Sequence, residues 1–166
     1  MMAEQMKTFD GIQVGDRLPE FVYTVTATTV VQGAAASRDW QPQHHDSAWA
    51  HRVGTKDIFV NTPTQGGWIC RYVTNWSGPH ARIGRITYRM RASVYPGDEL
   101  RFNGTVTAAF VSGGIHWIAL SVELSTAEAV KTIVEMLIAL PASENGASPW
   151  SRSVDEWRLP PMPTSS

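Results

Sequence analysis

A carboxylate and an imidazole lie five positions apart in the segment from Ser37 to Asp46, where Asp39 and His44 flank Pro42. Proline cannot continue a helix and favours extended backbone at the residue before it, so this segment should form a kinked loop on which the two side chains can converge. A convergent carboxylate and imidazole can together activate a water molecule. The same residue types are also common in solvated turns, so the spacing alone leaves both interpretations open.

A helix should follow this loop, because Thr62, Pro63 and Gln65 supply a cap, a first-turn proline and the end of a capping box. Apolar residues then recur at three- and four-residue spacing until residues 77–79 end the pattern; they are Trp68, Ile69, Tyr72, Val73 and Trp76. This predicts a buried central helix of about four turns. The N–H groups of its first turn lack intrahelical partners and can stabilise a carbonyl oxygen that gains negative charge.

Three small residues in this helix permit a functional or a structural interpretation. Gly66 and Gly67 allow close approach of a ligand or a strand, but helix packing without a ligand explains the pair equally well. Cys70 is the one cysteine of the chain, so it cannot form an intrachain disulfide. We interpret it as a small core residue rather than a nucleophile.

Size and charge restrict the class of protein. The 166 residues fit one domain, and 43% hydrophobic with 17% charged residues is enough for a substantial core. A net charge of −1 without a long basic run argues against a nucleic-acid partner. No apolar run of membrane-spanning length and no export signal are recognisable, so we expect a cytoplasmic protein without a membrane partner.

The segments before the loop should position Asp39. Phe21 to Thr26 alternates like a strand, and a helix capped by Thr28 should follow and end near Ser37. Asp39 then lies just beyond the C-terminus of that helix. Residues 47 to 53 are expected to add one further helical turn.

The second half of the chain predicts a curved antiparallel sheet. Apolar and polar residues alternate strictly from Ile83 to Val94, and further strands are expected from about 100 to 108, 115 to 124 and 130 to 140, separated by turns. A sheet of this kind with one long apolar helix is an α+β layer, and the helix must lie in its concave face to bury Trp68 and Trp76.

The chain therefore divides into a domain at 1–140 and a Pro/Ser-rich tail at 141–166. The tail carries Trp150 and Trp157, which suggest docking on its own domain or on a partner, although its composition also suits disorder. Four arginines of the first long strand are most simply a solvated face, or alternatively meet the phosphates of a nucleotide-bearing substrate; they are Arg82, Arg85, Arg89 and Arg91.

The order of these elements, together with one motif, resembles the MaoC-like hydratases of the hot-dog superfamily. That family's motif has the form Ser-Gly-Asp-x-Asn-Pro-x-His-x-Asp, and five residues here fall on it in register: Ser37, Asp39, Pro42, His44 and Asp46. Arg38 replaces the glycine and Gln41 the asparagine. The Val-Tyr-Pro-Gly-Asp-Glu-Leu at 94–100 is similar to a later strand and turn of the family.

Three longer stretches make one branch of the family more similar still. Ser-Arg-Asp-Trp through His-His-Asp, Lys-Asp-Ile-Phe-Val-Asn and Arg-Tyr-Val-Thr-Asn-Trp resemble the small hydratase subunit of bacterial steroid side-chain degradation. This resemblance implies an acyl-CoA substrate, no metal or redox cofactor, and assembly as a homodimer or as a heteromer with a second MaoC-like subunit.

The resemblance also implies a hot-dog fold and the hydration of a trans-2-enoyl-CoA, with Asp39 and His44 as the catalytic pair. The family's usual His-Gly before the central helix is Asn61-Thr62 here. Oxyanion and substrate-binding candidates are therefore the residues around this point and one tryptophan: Asn61, Thr62, Gly66, Gly67 and Trp40. Trp40 and Trp68 line an apolar acyl pocket in this interpretation, or belong to the core.

The sequence is also compatible with two other functions. A hot-dog acyl-CoA thioesterase would direct a carboxylate-activated water at the carbonyl carbon, whereas an acid/base pair favours addition to the alkene. A non-catalytic subunit would bind acyl-CoA without reacting with it; retention of Asp39 and His44 speaks against it, but the departures from the family at Arg38 and Thr62 keep it open. The adjacent His44 and His45 lack the spacing of a recognised zinc site, so no metal is expected.

Overall fold

A computed structural model describes residues 6–163, which fold around one five-stranded antiparallel sheet of order β1-β3-β4-β5-β2. The strands are β1 (Phe21–Thr24), β2 (Arg82–Met90), β3 (Glu99–Ser112), β4 (Ile115–Ser125) and β5 (Val130–Leu140). The helices are α1 (Ala27–Ala36), α2 (Ser47–Arg52) and α3 (Thr62–Ser77). The predicted α+β class is therefore confirmed. None of the helices within residues 6–163 has the length and apolar character that a bilayer span requires.

The main core lies between α3 and one face of the sheet. Ile69 and Val73 of α3 are fully buried, and they belong to the same cluster as alternate residues of β4 such as Leu120 and Val122. Because successive strand residues point to opposite faces, the intervening residues of β4 belong to the other side of the sheet. On that side Trp117 belongs to a second, smaller apolar cluster.

The C-terminal segment covers that other face. Trp157 packs on the fully buried Trp117 with ring centroids 4.9 Å apart, and the Arg82 guanidinium lies 3.8 Å from the Trp157 ring centroid. The Trp150 indole N–H donates to the Ala81 carbonyl at 3.0 Å. Of the alternatives for the tail, the structure therefore shows docking on its own domain, up to residue 163. Residues 1–5 and 164–166 of the predicted ranges lie outside the described residues.

Both predicted helix caps were wrong by one or two residues. The Oγ1 of Thr26, not of Thr28, caps α1 by accepting the Thr29 N–H at 3.1 Å. The cap of α3 is Asn61, not Thr62, and no capping box forms there. Asn and Thr are both good caps, so local sequence does not separate neighbours of these types.

The Gln65 side chain does not close the predicted capping box and bonds to the sheet instead. Its Oε1 accepts the Thr132 hydroxyl of β5 at 2.8 Å, and its side chain is buried. A buried amide must find a hydrogen bond in the protein interior, and this bond connects α3 to the sheet.

Two predicted strands end early. β1 stops at Thr24 because Thr26 becomes the α1 cap. β2 stops at Met90 rather than Val94, because both Arg91 and Ala92 turn their N–H groups onto the single Lys131 carbonyl. The residues that follow β2 thus leave the sheet and become available to line a pocket.

Trp68 and Trp76 are only half-buried, contrary to the prediction that α3 buries both. They border a surface groove of about 220 Å³ that also contacts Phe21 and Tyr23. Trp68 packs on Tyr23 with ring centroids 4.9 Å apart. The four residues of β1 are too short a strand to cover this side of the helix completely.

Candidate active site

A polar pocket of about 400 Å³ opens at the N-terminus of α3. Its walls come from four segments: the loop after α1, the turn at Pro42–His44, residues 59–62 with the first turn of α3, and residues 90–93 after β2. Its volume lies in the usual range for small-molecule sites.

Asp39 reaches this pocket through the end of α1. Arg38 adopts the left-handed conformation with φ 55°, and the Asp39 N–H turns back to the Ala34 carbonyl at 2.9 Å. This is the αL ending of a helix, at which glycine is the preferred residue because it has no Cβ. The geometry explains why a glycine at the Arg38 position suits this motif, and it shows that arginine still permits the turn.

Asp39 and His44 converge in the pocket, with Asp39 Oδ2 3.4 Å from His44 Nε2. The imidazole is buried, with only 5% of its side chain exposed, whereas the carboxylate is 24% exposed. His44 Nδ1 donates to the Phe59 carbonyl at 2.7 Å, because a carbonyl oxygen can only accept. This bond keeps the Nδ1 proton in place and leaves Nε2 as the ring atom that exchanges protons with the pocket.

The Asn61 side chain connects Asp39 to α3. Its Oδ1 accepts the Thr64 N–H at 3.2 Å, and its Nδ2 donates to Ser37 Oγ at 2.8 Å and to Asp39 Oδ2 at 2.9 Å. The hydrogen bond from Asn61 is the main cause that lowers the pKa of Asp39 below 3.8; the Gln41 N–H and the charge of His44 act in the same direction, and partial burial opposes them.

The start of α3 has one backbone N–H without a hydrogen-bond partner among the described residues. Pro63 has no N–H, the Thr64 N–H is taken by the Asn61 side chain, and the Gln65 N–H donates to the Asn61 carbonyl at 3.2 Å. Among the described residues, this leaves the Thr62 N–H as the free donor of the first turn. It lies at the positive end of the dipole of a 16-residue helix.

The wall formed by residues 90–93 is fixed from behind by a buried lysine. Lys131 is 7% exposed; its Nζ donates to the Ser93 carbonyl at 3.1 Å and lies 3.5 Å from Asp98 Oδ2. Asp98 in turn accepts the Tyr95 N–H at 3.0 Å. These contacts hold the segment after β2 in its bent conformation beside the pocket.

No family model matches the chain. Over 95 residues it is 45% identical to the 3-oxo-4,17-pregnadiene-20-carboxyl-CoA hydratase beta subunit of Mycobacterium tuberculosis, an alignment that covers 57% of this chain and 74% of that subunit. The crystal structure of the ChsH1–ChsH2 complex from Mycobacterium tuberculosis matches with a TM-score of 0.72 and 36% identity, over 77% of this chain and 98% of the matched chain. The chain belongs to the MaoC-like hydratase family.

A MaoC-like dehydratase from Rhodospirillum rubrum shares the fold, with a TM-score of 0.71 and 18% identity over 81% of this chain and 96% of that chain. The resemblance stated from the motif and the hot-dog fold that it implied are thereby confirmed. The curved sheet with α3 against it is the hot-dog arrangement of this MaoC-like chain.

The structure brings four of the seven predicted site residues of the MaoC-like chain into one pocket: Asp39, His44, Asn61 and Thr62. Trp40 is 68% exposed and does not line it. Gly66 faces Tyr88, and a Cβ at Gly67 would meet nothing within 4 Å. The roles predicted for Trp40 and the two glycines stay predictions, without support from the geometry.

Sequence reasoning missed the far wall of the pocket. Met90, Arg91 and Ser93 line it, and Thr62 Oγ1 contacts Met90 Sδ at 3.3 Å. The sequence predicted Arg91 as one of four strand arginines that form a solvated face or meet the phosphates of a substrate. The Tyr-Pro-Gly-Asp turn at 95–98 was the available signal, since a turn so close after the strand limits how far the strand can extend.

Proposed function

We propose that this chain catalyses the reversible hydration of a trans-2-enoyl-CoA to a 3-hydroxyacyl-CoA. The observation that carries the proposal is the pairing of Asp39 Oδ2 and His44 Nε2 at 3.4 Å in a polar pocket at a helix N-terminus. Because these two atoms are so close, one water molecule beside them in the pocket could hydrogen-bond to both, as general acid–base catalysis requires. Membership of the MaoC-like family supports the same reaction class.

The proposed reaction requires one transferable proton on the pair, carried by His44 Nε2 when Asp39 is ionised. The lowered pKa of Asp39 supports the ionised carboxylate. Asp39 takes a proton from water as the water oxygen bonds to the β-carbon, and His44 gives its Nε2 proton to the α-carbon. Proton transfer from Asp39 to His44 restores the starting state, and the reverse sequence removes water.

Negative charge develops on the thioester oxygen when the β-carbon is attacked. We assign the Thr62 N–H, at the edge of the pocket, to donate a hydrogen bond to that oxygen, and the dipole of α3 adds to the stabilisation. Loss of one such donor typically costs ~100-fold in rate. The reaction needs no metal or redox cofactor, because the acid/base pair supplies both proton transfers.

The proposals for the acyl group of the substrate and for the assembly depend on the similar proteins. The subunit from Mycobacterium tuberculosis is named for a steroid-derived carboxyl-CoA, which supports a steroid side-chain CoA thioester as the substrate here. That protein is a beta subunit, and the ChsH1–ChsH2 structure is a complex, so we infer that this chain assembles with a second MaoC-like subunit or as a homodimer. A cytoplasmic location stays a prediction.

A non-catalytic acyl-CoA-binding subunit is the second candidate, because the similar protein is one subunit of a larger hydratase. The third, an acyl-CoA thioesterase, would use only one of the two groups, whereas the pocket presents both at hydrogen-bonding range. The three candidates differ in the product that they release.

The deciding experiment follows loss of the enoyl thioester and release of free CoA thiol in the same sample. A short straight-chain and a steroid-side-chain enoyl-CoA are compared, with the chain alone and with a MaoC-like partner, for the wild type and Asp39→Asn. We expect hydration that Asp39→Asn abolishes, without thiol release. Thiol release would support the thioesterase. If the complex with the partner is as active with Asp39→Asn as with the wild-type chain, the result would support the non-catalytic subunit.

A further inference from the structure

Asn61 occupies an unusual position between two parts of the candidate site. It is 2% exposed and immediately precedes α3, where its side chain contacts the helix start and the Asp39 loop at the same time. The sequence had suggested that it binds the substrate oxyanion. The hydrogen bonds give it a different function.

Its side chain has no donor left for a substrate. A carboxamide has two N–H donors, and those of Asn61 point to Ser37 Oγ at 2.8 Å and Asp39 Oδ2 at 2.9 Å. Its Oδ1 is taken by the Thr64 N–H. Substrate binding by this amide would therefore require one of these partly buried bonds to break, which costs the protein more than the loss of a solvent-exposed bond would.

We propose that Asn61 is a positioning residue, which holds the Asp39 carboxylate against His44 and fixes its location relative to the oxyanion donor at the start of α3. The inference rests on the proposed hydratase function. Because Asn61 and Thr62 are consecutive, a single residue links the group that deprotonates water to the N–H that receives charge on the thioester oxygen. Relative placement of such groups to within about 1 Å strongly affects rate.

The charged environment of Asp39 makes this arrangement measurable. The ionisable or charged side chains that line the pocket with Asp39 are His44, on the neighbouring turn, and Arg91, on the segment after β2. Neither replaces the neutral donor of Asn61, whose bond is the main cause of the lowered pKa of Asp39. Removing that donor should therefore raise the pKa of Asp39 toward 3.8 and beyond if burial then prevails.

The test uses Asn61→Ser, because serine caps helices as well as asparagine does but cannot reach Asp39 with an N–H. Asn61→Asp is the second variant; it keeps the volume and the cap and places an anion beside Asp39. We expect kcat for enoyl-CoA hydration to fall ~10-fold to 100-fold with KM within about twofold. Asn75→Ser makes the same change at an exposed position of α3 remote from the pocket, and should leave kcat unchanged.

The second readout does not depend on activity. The chemical shift of the Asp39 carboxyl carbon is followed by NMR as a function of pH in the wild type and both variants. We expect the Asp39 titration to move to higher pH in Asn61→Ser and further in Asn61→Asp. An unchanged titration and unchanged kcat in both folded variants would overturn the proposal. If the Asp39 titration shifts in the variants but the wild-type chain hydrates no enoyl-CoA, the positioning role stands and the hydratase function is overturned instead.

Discussion

Two cavities border α3, and they differ in how their side chains are held. At the N-terminus of the helix, hydrogen bonds fix a carboxylate, an imidazole and an amide around a pocket of about 400 Å³. Along its C-terminal half, aromatic rings form a groove of about 220 Å³; they are Phe21, Tyr23, Trp68, Tyr72 and Trp76. One helix thus borders a polar pocket with ionisable side chains and a groove that offers apolar contact.

The buried phenol in the aromatic groove illustrates the difference. The Tyr72 hydroxyl donates to the Pro19 carbonyl at 3.0 Å, and burial raises the pKa of Tyr72 to about 12. A phenol that stays protonated and hydrogen-bonded to the backbone is a structural group rather than an acid or base near neutral pH. The pKa of Asp39, in contrast, is lowered by a donor directed at its charged form. Substitutions should accordingly affect rate at one cavity and stability at the other.

Asp39→Asn should have the largest effect and should act on rate alone. Loss of one member of an acid/base pair removes ~1,000-fold in kcat, or about 4 kcal/mol of transition-state stabilisation. The asparagine is isosteric and still accepts the Asn61 N–H, so we expect the free energy of unfolding to change by less than about 1 kcal/mol. Steady-state hydration and urea unfolding measure the two quantities. A large loss of stability together with activity would mean that Asp39 is structural.

Trp68→Ala should show the opposite behaviour. The substitution removes a half-buried ring and its contact with Tyr23, at a cost of about 2 kcal/mol in the free energy of unfolding. Because Trp68 does not line the polar pocket, kcat with a short straight-chain enoyl-CoA should stay within about twofold. Urea unfolding and steady-state rates on the same samples test both statements. A loss of kcat with this substrate would show that the two cavities act as one site.

Gly33→Ala should disturb the polar pocket by a steric clash between α1 and α3. A Cβ at Gly33 would lie 2.3 Å from Thr64 Oγ1 and 3.0 Å from Thr64 Cβ, where α1 crosses the first turn of α3. Overpacking costs typically 1–3 kcal/mol, which exceeds the gain of about 1 kcal/mol from replacing a helical glycine with alanine. We expect net destabilisation of about 1 kcal/mol and a loss of kcat of ~10-fold, because α1 carries Asp39 at its end.

Thr64→Ala is the companion variant for Gly33→Ala. It removes the two nearest atoms, Oγ1 and Cγ2, so the double variant should recover most of the lost stability and activity. A double-mutant cycle from thermal or urea unfolding gives the coupling between the positions. Additive effects would show that Gly33 and Thr64 do not meet, and would place the cause of any activity loss elsewhere.

The polar pocket was easier to predict from the sequence than the aromatic groove. The spacing of Asp39 and His44 around Pro42 predicted a kinked loop on which the two side chains could converge or lie in a solvated turn, and the structure places Asp39 Oδ2 3.4 Å from His44 Nε2. That prediction depended on backbone rules for proline, which act locally. The strand alternation and the spacing of apolar residues in α3 likewise predicted the sheet and the helix, because both periodicities are local.

Features that depend on contacts between residues distant in sequence were not predictable in this way. Asn61 and Thr62 are equivalent caps in sequence, and the partner Asp39 that favours Asn61 comes from 22 positions earlier. The alternation after Met90 continued beyond the end of the sheet, because the Lys131 carbonyl that captures Arg91 and Ala92 is distant in sequence. The exposure of Trp68 depends on how much of α3 the short β1 covers, which a helical pattern does not contain.

Gly67→Ala should have the smallest effect and tests the role that sequence suggested for this glycine. A Cβ at Gly67 would meet nothing within 4 Å, and α3 is helical at this point. Alanine should therefore stabilise the chain by up to about 1 kcal/mol, because glycine loses more backbone entropy on folding. We expect unchanged kcat and KM, since Gly67 lies outside the polar pocket. A raised KM would instead show that substrate approaches the backbone there and extends along α3 toward the aromatic groove, in which case the two cavities would belong to one binding surface.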